Sequence, residues 1–451
     1  MNGWNYRYAW DRILPERPTN RIEIDAEVVV LLTVEETNYL CRIGPGTPMG
    51  NLMRRYWTPI LLSKELPEPD GAPLRSRILG EDLVAYRDTN GDVGLLDNYC
   101  PHRRASLFFG RNEECGLRCV YHGWKFDKDG NCVDMPSEPA ESNFKDKVKV
   151  KSYPVKEGGG LIWAYMGPAE LEPPMPRFEY LELEPDQVSV SKLRYESNYV
   201  QVVEGDLDTV HASLLHSRLA DLENAPKATT LAGRYSYPDR APKFHVEDTE
   251  GGLLIGARRK AEEDSYYWRI SRWLFPYFTM IPREPHGITQ GGAMVPIDDE
   301  NCWFIHIRWN PFGTLEDSQR YENNFDHNII PDGTWLAKAN RRNDYLIDRE
   351  DQKNNTYTGI AFVRAQDSAM TDGMGIIADR SKEHLATTDM GIIRMRRRLI
   401  KAARELEEGI EPSAVTHPDS FSVRSGGCVL PRDVYFTDDA EVWNDIHFKL
   451  P

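Results

Sequence analysis

The chain has no long hydrophobic run: its longest apolar stretch near the start, Val28 to Leu32, is far short of the ~20 residues that a membrane-spanning helix needs. It also lacks the charged start and small-residue cleavage site of a secretory signal. Together these absences predict a cytoplasmic protein with no membrane partner. Basic residues are in short supply, 55 against 71 acidic for a net charge of −16, which argues against nucleic acid or an anionic membrane as a partner. Cysteine is sparse and odd in number, with seven in 451 residues. A secreted disulfide framework would use many, paired, in a short chain, so metal binding is the better expectation for these thiols. There are no internal repeats and no low-complexity segment.

What remains is the composition of a folded protein, 40% hydrophobic and 28% charged, with enough chain for two or three cores. Residues 1–30 lack periodicity and read as an extension. From Val34 to Trp57 helix-like and loop-like signals mix, and Gly44-Pro-Gly-Thr-Pro48 breaks any long helix. Short strands follow. Leu83–Arg87 and Val93–Asp97 flank Asn90-Gly91, a strong hairpin signal. Trp124–Phe126 and Cys132–Val133 flank Asp127-Lys-Asp-Gly130, and Leu161–Tyr165 forms another strand. A proline-rich linker, Pro168 to Pro176, closes this all-β region. Beyond it the pattern predicts a helix from Tyr199 to His216, strands at Leu253–Ala257, Tyr266–Arg272 and Cys302–Trp309, and a terminal helix from Asp389 to Glu408. Strands and helices without βαβ alternation give an α+β fold, divided as 1–30, 31–167 and 168–451.

Chemistry concentrates at two places. The first is Cys100-Pro-His102, then Cys119-Val-Tyr-His122. Each half offers one thiolate and one imidazole, as a Rieske [2Fe–2S] cluster requires, where two histidines replace two cysteines on one iron. Zinc also accepts two Cys and two His, but its usual finger spacing pairs Cys with Cys and His with His. Cys115 and Cys132 lie nearby and are read as buried bystanders. The second place is Glu204-Gly-Asp-Leu-Asp208-Thr-Val-His211-Ala-Ser-Leu-Leu-His216. On a continuous helix Glu204, Asp208 and His211 share a face, and a bulge or helix end would be needed to bring His216 alongside His211. Two imidazoles and one carboxylate form the facial triad of non-haem Fe(II) oxygenases, with Asp208 placed to orient His211. Asp367, Asp372 and Asp379 are all plausible third ligands on residue type alone. The competing reading is an ordinary helix carrying two histidines.

The runs Cys100-Pro-His-Arg-Arg-Ala-Ser, Cys119-Val-Tyr-His-Gly-Trp-Lys-Phe and Glu204-Gly-Asp-Leu-Asp-Thr-Val-His resemble the oxygenase (alpha) component of Rieske non-haem iron aromatic-ring-hydroxylating dioxygenases. Arg42-Ile-Gly-Pro-Gly-Thr-Pro-Met49, Gln366-Asp367 and Asp379-Arg-Ser-Lys-Glu-His-Leu385 are similar to the phthalate dioxygenase branch. The resemblance covers about residues 31–451. It implies a small Rieske domain followed by a helix-grip catalytic domain with an antiparallel sheet. It further implies that Cys100 and Cys119 bind one cluster iron and His102 and His122 the other, and that His211, His216 and Asp367 hold a mononuclear Fe(II). Asp208 would link His122 of one chain to His211 of its neighbour in a homotrimer or a dimer of trimers. A separate NAD(P)H-dependent reductase with flavin and iron–sulfur centres would supply electrons, and O2 and an aromatic carboxylate would be the substrates of a cis-dihydroxylation in aromatic hydrocarbon catabolism. Such a carboxylate calls for arginine, and Arg240, Arg258, Arg269 and Arg272 follow the histidine segment. Arg269 and Arg272 have opposite parity on a strand and so cannot share a face without a bulge. The alternatives are a Rieske monooxygenase or O-demethylase of an aromatic acid, and an electron-transfer Rieske protein without oxygenase activity. Glu204 would hydrogen-bond a ligand or cap local structure, and Arg396-Arg-Arg398 would form a solvated or subunit-facing side.

Overall fold

The computed structural model describes residues 31–448 except 140, 286, 318 and 320–326; the expected N-terminal extension lies outside them. Two short helices open the described chain. Helix α1 (Val34–Cys41) starts on a capping box in which Thr33 and Glu36 satisfy each other's backbone N–H. Helix α2 (Pro48–Met53) starts with proline in its first turn, where the missing N–H costs nothing. The Gly-Pro-Gly segment between them breaks the run.

Ten short strands follow in three small antiparallel sheets. One sheet joins β1 (Trp57–Leu62), β9 (Val155–Gly158) and β10 (Leu161–Tyr165). The second holds β2 (Leu74–Ile78), β3 (Glu81–Arg87) and β4 (Val93–Asp97), with Gly91 at φ +88° in the β3–β4 turn. The third is β5 (Arg111–Glu113), β6 (Gly116–Arg118), β7 (Lys125–Phe126) and β8 (Cys132–Asp134). The last two sheets close over a separate apolar core of Val84, Leu96, Leu117, Phe126 and Val150, which also buries Cys100 and Cys119.

The rest of the chain is built on one eight-stranded antiparallel sheet. Its strands are β11 (Val188–Tyr195), β12 (Lys243–Thr249), β13 (Gly252–Lys260), β14 (Ser265–Leu274), β15 (Phe278–Met280), β16 (Thr289–Pro296), β17 (Cys302–Trp309) and β18 (Gly426–Pro431). They lie in the order β11-β17-β16-β15-β14-β13-β12, with β18 against β14 beyond the end of β15. Leu253, Ile255 and Trp273 on one face join the main core under α3 (Tyr199–Leu207) and α5 (Met390–Glu407), while Leu254, Trp268 and Ile270 on the other face pack with Phe436, Trp443 and Ile446. Helix α4 (Val363–Gly373) crosses beside α3. The small sheets are keyed to the large one: Tyr277 donates to Thr58 Oγ1 at 2.7 Å, and Trp163 stacks on Phe278 at 6.2 Å.

Two expectations needed revision. The helix that begins at Tyr199 ends at Leu207 rather than reaching His216, because Asp208 turns extended and its carboxylate accepts from Val210 N at 2.7 Å. A short polar side chain thus replaces the helical ladder locally. Secondly, Arg396 and Arg398 are not a solvated side. Arg396 is buried against Glu204 and Glu383, and Arg398 donates to the carbonyls of Thr249 and Gly252.

Candidate metal centres and their surroundings

The first centre sits where two loops of the small domain are folded alike. After Cys100 the chain turns so that Arg104 N donates to Cys100 O at 2.9 Å and Cys100 N donates to Ala105 O at 2.9 Å. After Cys119, Gly123 N donates to Cys119 O at 2.9 Å and Cys119 N donates to Trp124 O at 2.8 Å. The fourth residue after each cysteine is left-handed, Arg104 at φ +60° and Gly123 at φ +80°. Glycine is required at the second position: a Cβ there would meet Pro136 Cγ at 2.6 Å. The two loops bring His102 and His122 to 4.3 Å between ring centroids, and His102 stacks on Trp124 at 4.4 Å.

The donor set suits a cluster. His102 Nδ1 is buried with no hydrogen-bond partner, an orphan that a metal bond would satisfy. Burial pushes the Cys100 thiol up to about 12, with the neighbouring Cys119 adding to it against the pull of the His102 backbone N–H. A buried thiol displaced in this way becomes a thiolate when a cation holds it. Cys132 shares the same core, whereas Cys115 is half-buried at the β5–β6 turn.

The second centre lies where α3 gives out. The break at Asp208 puts His211 on a single 3-10 turn (His211–Ser213) and lets His216 swing back toward it. Ligand-type atoms of His211, His216 and Asp367 then lie within 4.8 Å of one another. Nε2 of His216 is 3.1 Å from Asp367 Oδ1, Nε2 of His211 is 3.7 Å from it, and the two Nε2 atoms are 3.2 Å apart. Such crowding of like lone pairs around one point is the arrangement of a metal site.

The supporting bonds are specific. Gln366 Oε1 lies 2.7 Å from His216 Nδ1, so it takes the N–H there and leaves Nε2 as the free lone pair; its Nε2 donates to Ile360 O at 2.6 Å. Asp208 Oδ2 lies 3.6 Å from His211 Nδ1. Arg364 bridges Asp367 and Asp206 at 3.3 and 3.1 Å. Burial alone would push the Asp367 carboxyl up, but the His216 contact and Arg364 hold it below its usual range. Asp372 and Asp379 are elsewhere: the first accepts from Tyr345 at 2.7 Å, and the second caps a 3-10 turn and pairs with Lys382. Glu204 does not face the histidines. It is enclosed with Arg380 and Arg396 at 3.0 and 2.6 Å, tying α3 to α5. Burial would raise its carboxyl, and Arg380 and then Arg396 outweigh that and hold it low.

The four arginines separate by strand parity. On β13 and β14, Ala257 pairs with Arg269 and Arg259 with Tyr267, so Arg269 and Arg259 share the inner face with Ile255 and Trp273. Arg258 and Arg272 point the other way. Arg258 lies over Tyr266 at 4.5 Å, and Arg272 is enclosed by the C-terminal segment, donating to Arg424 O and Ile446 O at 3.2 Å each. Neither is available at the histidines, because the pleat turns them to the far side of the sheet. Arg259 was not anticipated from the sequence. It donates to Thr209 O at 3.0 Å, directly between Asp208 and His211 in the chain, and no pattern in the sequence marks such a backbone contact. Nη1 of Arg259 and Nε of Arg269 are buried without a partner. Arg269 and Arg240 both act on Tyr237, whose hydroxyl is raised by burial and by the Asp221 carboxylate it bonds, against the pull of the two arginines.

Among the described residues no helix is long and apolar enough to cross a membrane. Residues 56–154 match the model of the Rieske [2Fe–2S] domain, and residues 164–439 match that of the LigXa C-terminal domain. The chain is 43% identical over 418 residues to the 3-chlorobenzoate-3,4-dioxygenase oxygenase subunit of Comamonas testosteroni, covering 88% of this chain and 94% of that one. It is 41% identical to the phthalate 4,5-dioxygenase oxygenase subunit of Pseudomonas putida, covering 84% and 88%. Dicamba monooxygenase bound to 3,6-dichlorosalicylic acid shares the fold, at a TM-score of 0.56 and 22% identity over 79% of this chain and 99% of that one. A twin-loop thiol and imidazole site, a three-residue metal site and this match along most of the chain have one common explanation: the protein belongs to the Rieske non-haem iron oxygenases, as an oxygenase subunit of the phthalate dioxygenase-like branch with a [2Fe–2S] cluster and a mononuclear iron as cofactors.

Proposed function

We propose that the chain is the terminal oxygenase of a multi-component system that cis-dihydroxylates an aromatic carboxylate of the benzoate or phthalate class. The observation that carries the substrate class is the inner-face Arg269, whose Nε is buried without a partner on the side of the sheet from which Arg259 bonds the histidine segment. A guanidinium with an unpartnered buried N–H suits a planar carboxylate, which it can bind through two parallel hydrogen bonds. The names of two relatives, a chlorobenzoate and a phthalate dioxygenase, support the same class.

In this reading Cys100, His102, Cys119 and His122 hold the cluster, and His211, His216 and Asp367 hold the iron. Together the two cofactors supply electron delivery and the activation of O2. The protein's own side chains orient. Gln366 fixes the tautomer of His216, Asp208 steers His211, and Arg364 keeps Asp367 ionised and pinned. Arg269 and Arg240 hold the ring by its carboxylate. His122 is partly exposed beside the exposed Tyr121, and among the described residues of one chain no hydrogen bond joins His122 to Asp208. An assembly in which one chain's His122 meets its neighbour's Asp208 would complete the electron route, which favours a homotrimer or a pair of trimers. The chain divides at residues 167/168 into a cluster domain and a catalytic domain, acts in the cytoplasm and draws electrons from a separate NAD(P)H-dependent reductase.

Turnover of benzoates and phthalates with a broad-acting reductase, NADH and 18O2 tests this by mass spectrometry. A diol carrying both atoms from one O2 is the expected product. Formaldehyde release from methoxylated acids would instead support O-demethylation, the activity named for a relative 32% identical over 438 residues, covering 93% of this chain. No product from any carboxylate would remove the substrate proposal.

A further inference from the structure

The two cluster histidines, 4.3 Å apart between ring centroids, have different aromatic neighbours. His122 lies against Tyr121, at 4.0 Å between centroids, on the surface assigned above to the neighbouring chain. His102 instead stacks on the buried Trp124, and the edge of Trp124 meets Phe144 at 6.1 Å. Phe144 is 45% exposed, so the aromatic path from His102 through Trp124 ends at the surface.

The chain that follows Phe144 is Lys145-Asp146-Lys147-Val148-Lys149-Val150-Lys151. Phe144–Lys147 forms a single 3-10 turn, and the chain beyond it runs as an extended edge beside the turn and strand that precede it: Val150 N donates to Gly130 O at 2.9 Å, Cys132 N donates to Val148 O at 3.3 Å, and Lys149 bridges Asn131. Alternation sends Val148 and Val150 into the cluster core and turns Lys149 and Lys151 outward, while Lys145 and Lys147 are exposed on the 3-10 turn. Four lysines against one aspartate give this run a charge of +3 within a chain of −16. Lys151 is paired with Glu81 at 2.8 Å, and Lys145, which reaches Val133 O at 3.4 Å, Lys147 and Lys149 are the exposed lysines that follow Phe144.

An apolar side chain leading inward to a cluster ligand, rimmed by cations on an otherwise acidic protein, fits an acidic partner. We propose that the face made by Phe144, Lys145, Lys147 and Lys149 docks the electron donor, an acidic [2Fe–2S] ferredoxin-type protein or domain, with Trp124 and His102 lying between the donor and the cluster. This rests on the oxygenase reading above. One electron passes per encounter: the donor's reduced cluster is oxidised by one electron, the Rieske cluster is reduced by one, and no bond or proton moves.

The test uses the cofactor-loaded oligomer and a plant-type [2Fe–2S] ferredoxin as the donor. Binding is measured by biolayer interferometry and cluster reduction by stopped-flow absorbance, at about 20 and about 200 mM salt. The triple variant Lys145→Glu, Lys147→Glu, Lys149→Glu is expected to weaken binding and slow reduction at least ~10-fold at low salt and to lose most of the salt dependence. Reduction by dithionite should be unchanged, which separates docking from damage to the cluster. Asp146→Lys extends the row and should raise the ferredoxin rate about two- to fivefold, a gain that misfolding cannot imitate. Wild-type kinetics in the triple variant, or a wild-type rate from ferredoxin that does not fall with salt, would overturn the proposal. Failure of the dithionite-reduced wild type to hydroxylate any aromatic carboxylate would sink the function reading instead and leave the docking result standing.

Discussion

Gln366→Leu isolates the role of one hydrogen bond at the iron site. In the wild type, Gln366 accepts from His216 Nδ1 at 2.7 Å and donates to Ile360 O at 2.6 Å, and it is 7% exposed. Leucine keeps the bulk and removes both bonds. A buried N–H left without a partner costs about 1–3 kcal/mol, and loss of the group that orients a metal-bound histidine lowers metal affinity about 10–100-fold. These agree, since tenfold is about 1.4 kcal/mol. Anaerobic titration of Fe(II) into iron-stripped enzyme should therefore show weakening of about 10–100-fold, while the cluster's visible absorbance stays at full intensity. Gln366→Glu preserves an acceptor at Nδ1 and should retain most of the affinity. If Gln366→Leu binds iron within twofold of the wild type, the His216 tautomer is set by something else and the reasoning fails.

Asp208→Asn should keep both cofactors and the oligomer yet lower product formed per reduced cluster at least ~10-fold, read by single-turnover quench. Wild-type yield would show that Asp208 does not connect the two centres. Glu204→Ala strips the shared partner from two buried arginines and should cost about 3–5 kcal/mol, seen as an apparent Tm lower by about 6–10 °C; a shift under ~1 °C would refute it. Because the Glu204 carboxyl is depressed in the folded state, its contribution is complete above the unfolded value of about 4.3 and is lost as pH falls through the lower folded value. Acid unfolding of Glu204→Gln should accordingly depend less steeply on pH in that range. Arg269→Met should raise KM for aromatic carboxylates by about 10-fold or more, whereas Arg258→Met on the far face should leave it unchanged; equal effects from both would contradict the assignment by strand face.

Some of the chemistry is legible from spacing alone. Cys100-x-His102 and Cys119-x2-His122 declare a mixed thiolate and imidazole site, because those ligands sit within single tight loops. Strand parity likewise separates Arg269 from Arg272 before any coordinates are known, since a pleat alternates wherever the strand is regular. The sequence also specifies the hairpin turns at Gly91 and Gly130, both with positive φ.

Other features needed the fold. Helical periodicity carries through Asp208 on paper, but the carboxylate captures Val210 N and ends the helix, and only that break brings His211 and His216 together. Residue type could not choose among Asp367, Asp372 and Asp379. The packing of α4 beside α3 puts the first at the histidines and leaves the others bonded to Tyr345 and Lys382. Arg396 looked like part of a solvated run until the tertiary structure enclosed it with Glu204. Local patterning thus determined which groups are present and which way each strand residue points. Which distant groups meet at one point depends on contacts more than a hundred residues apart, such as His216 with Gln366, and these the tertiary structure alone decided.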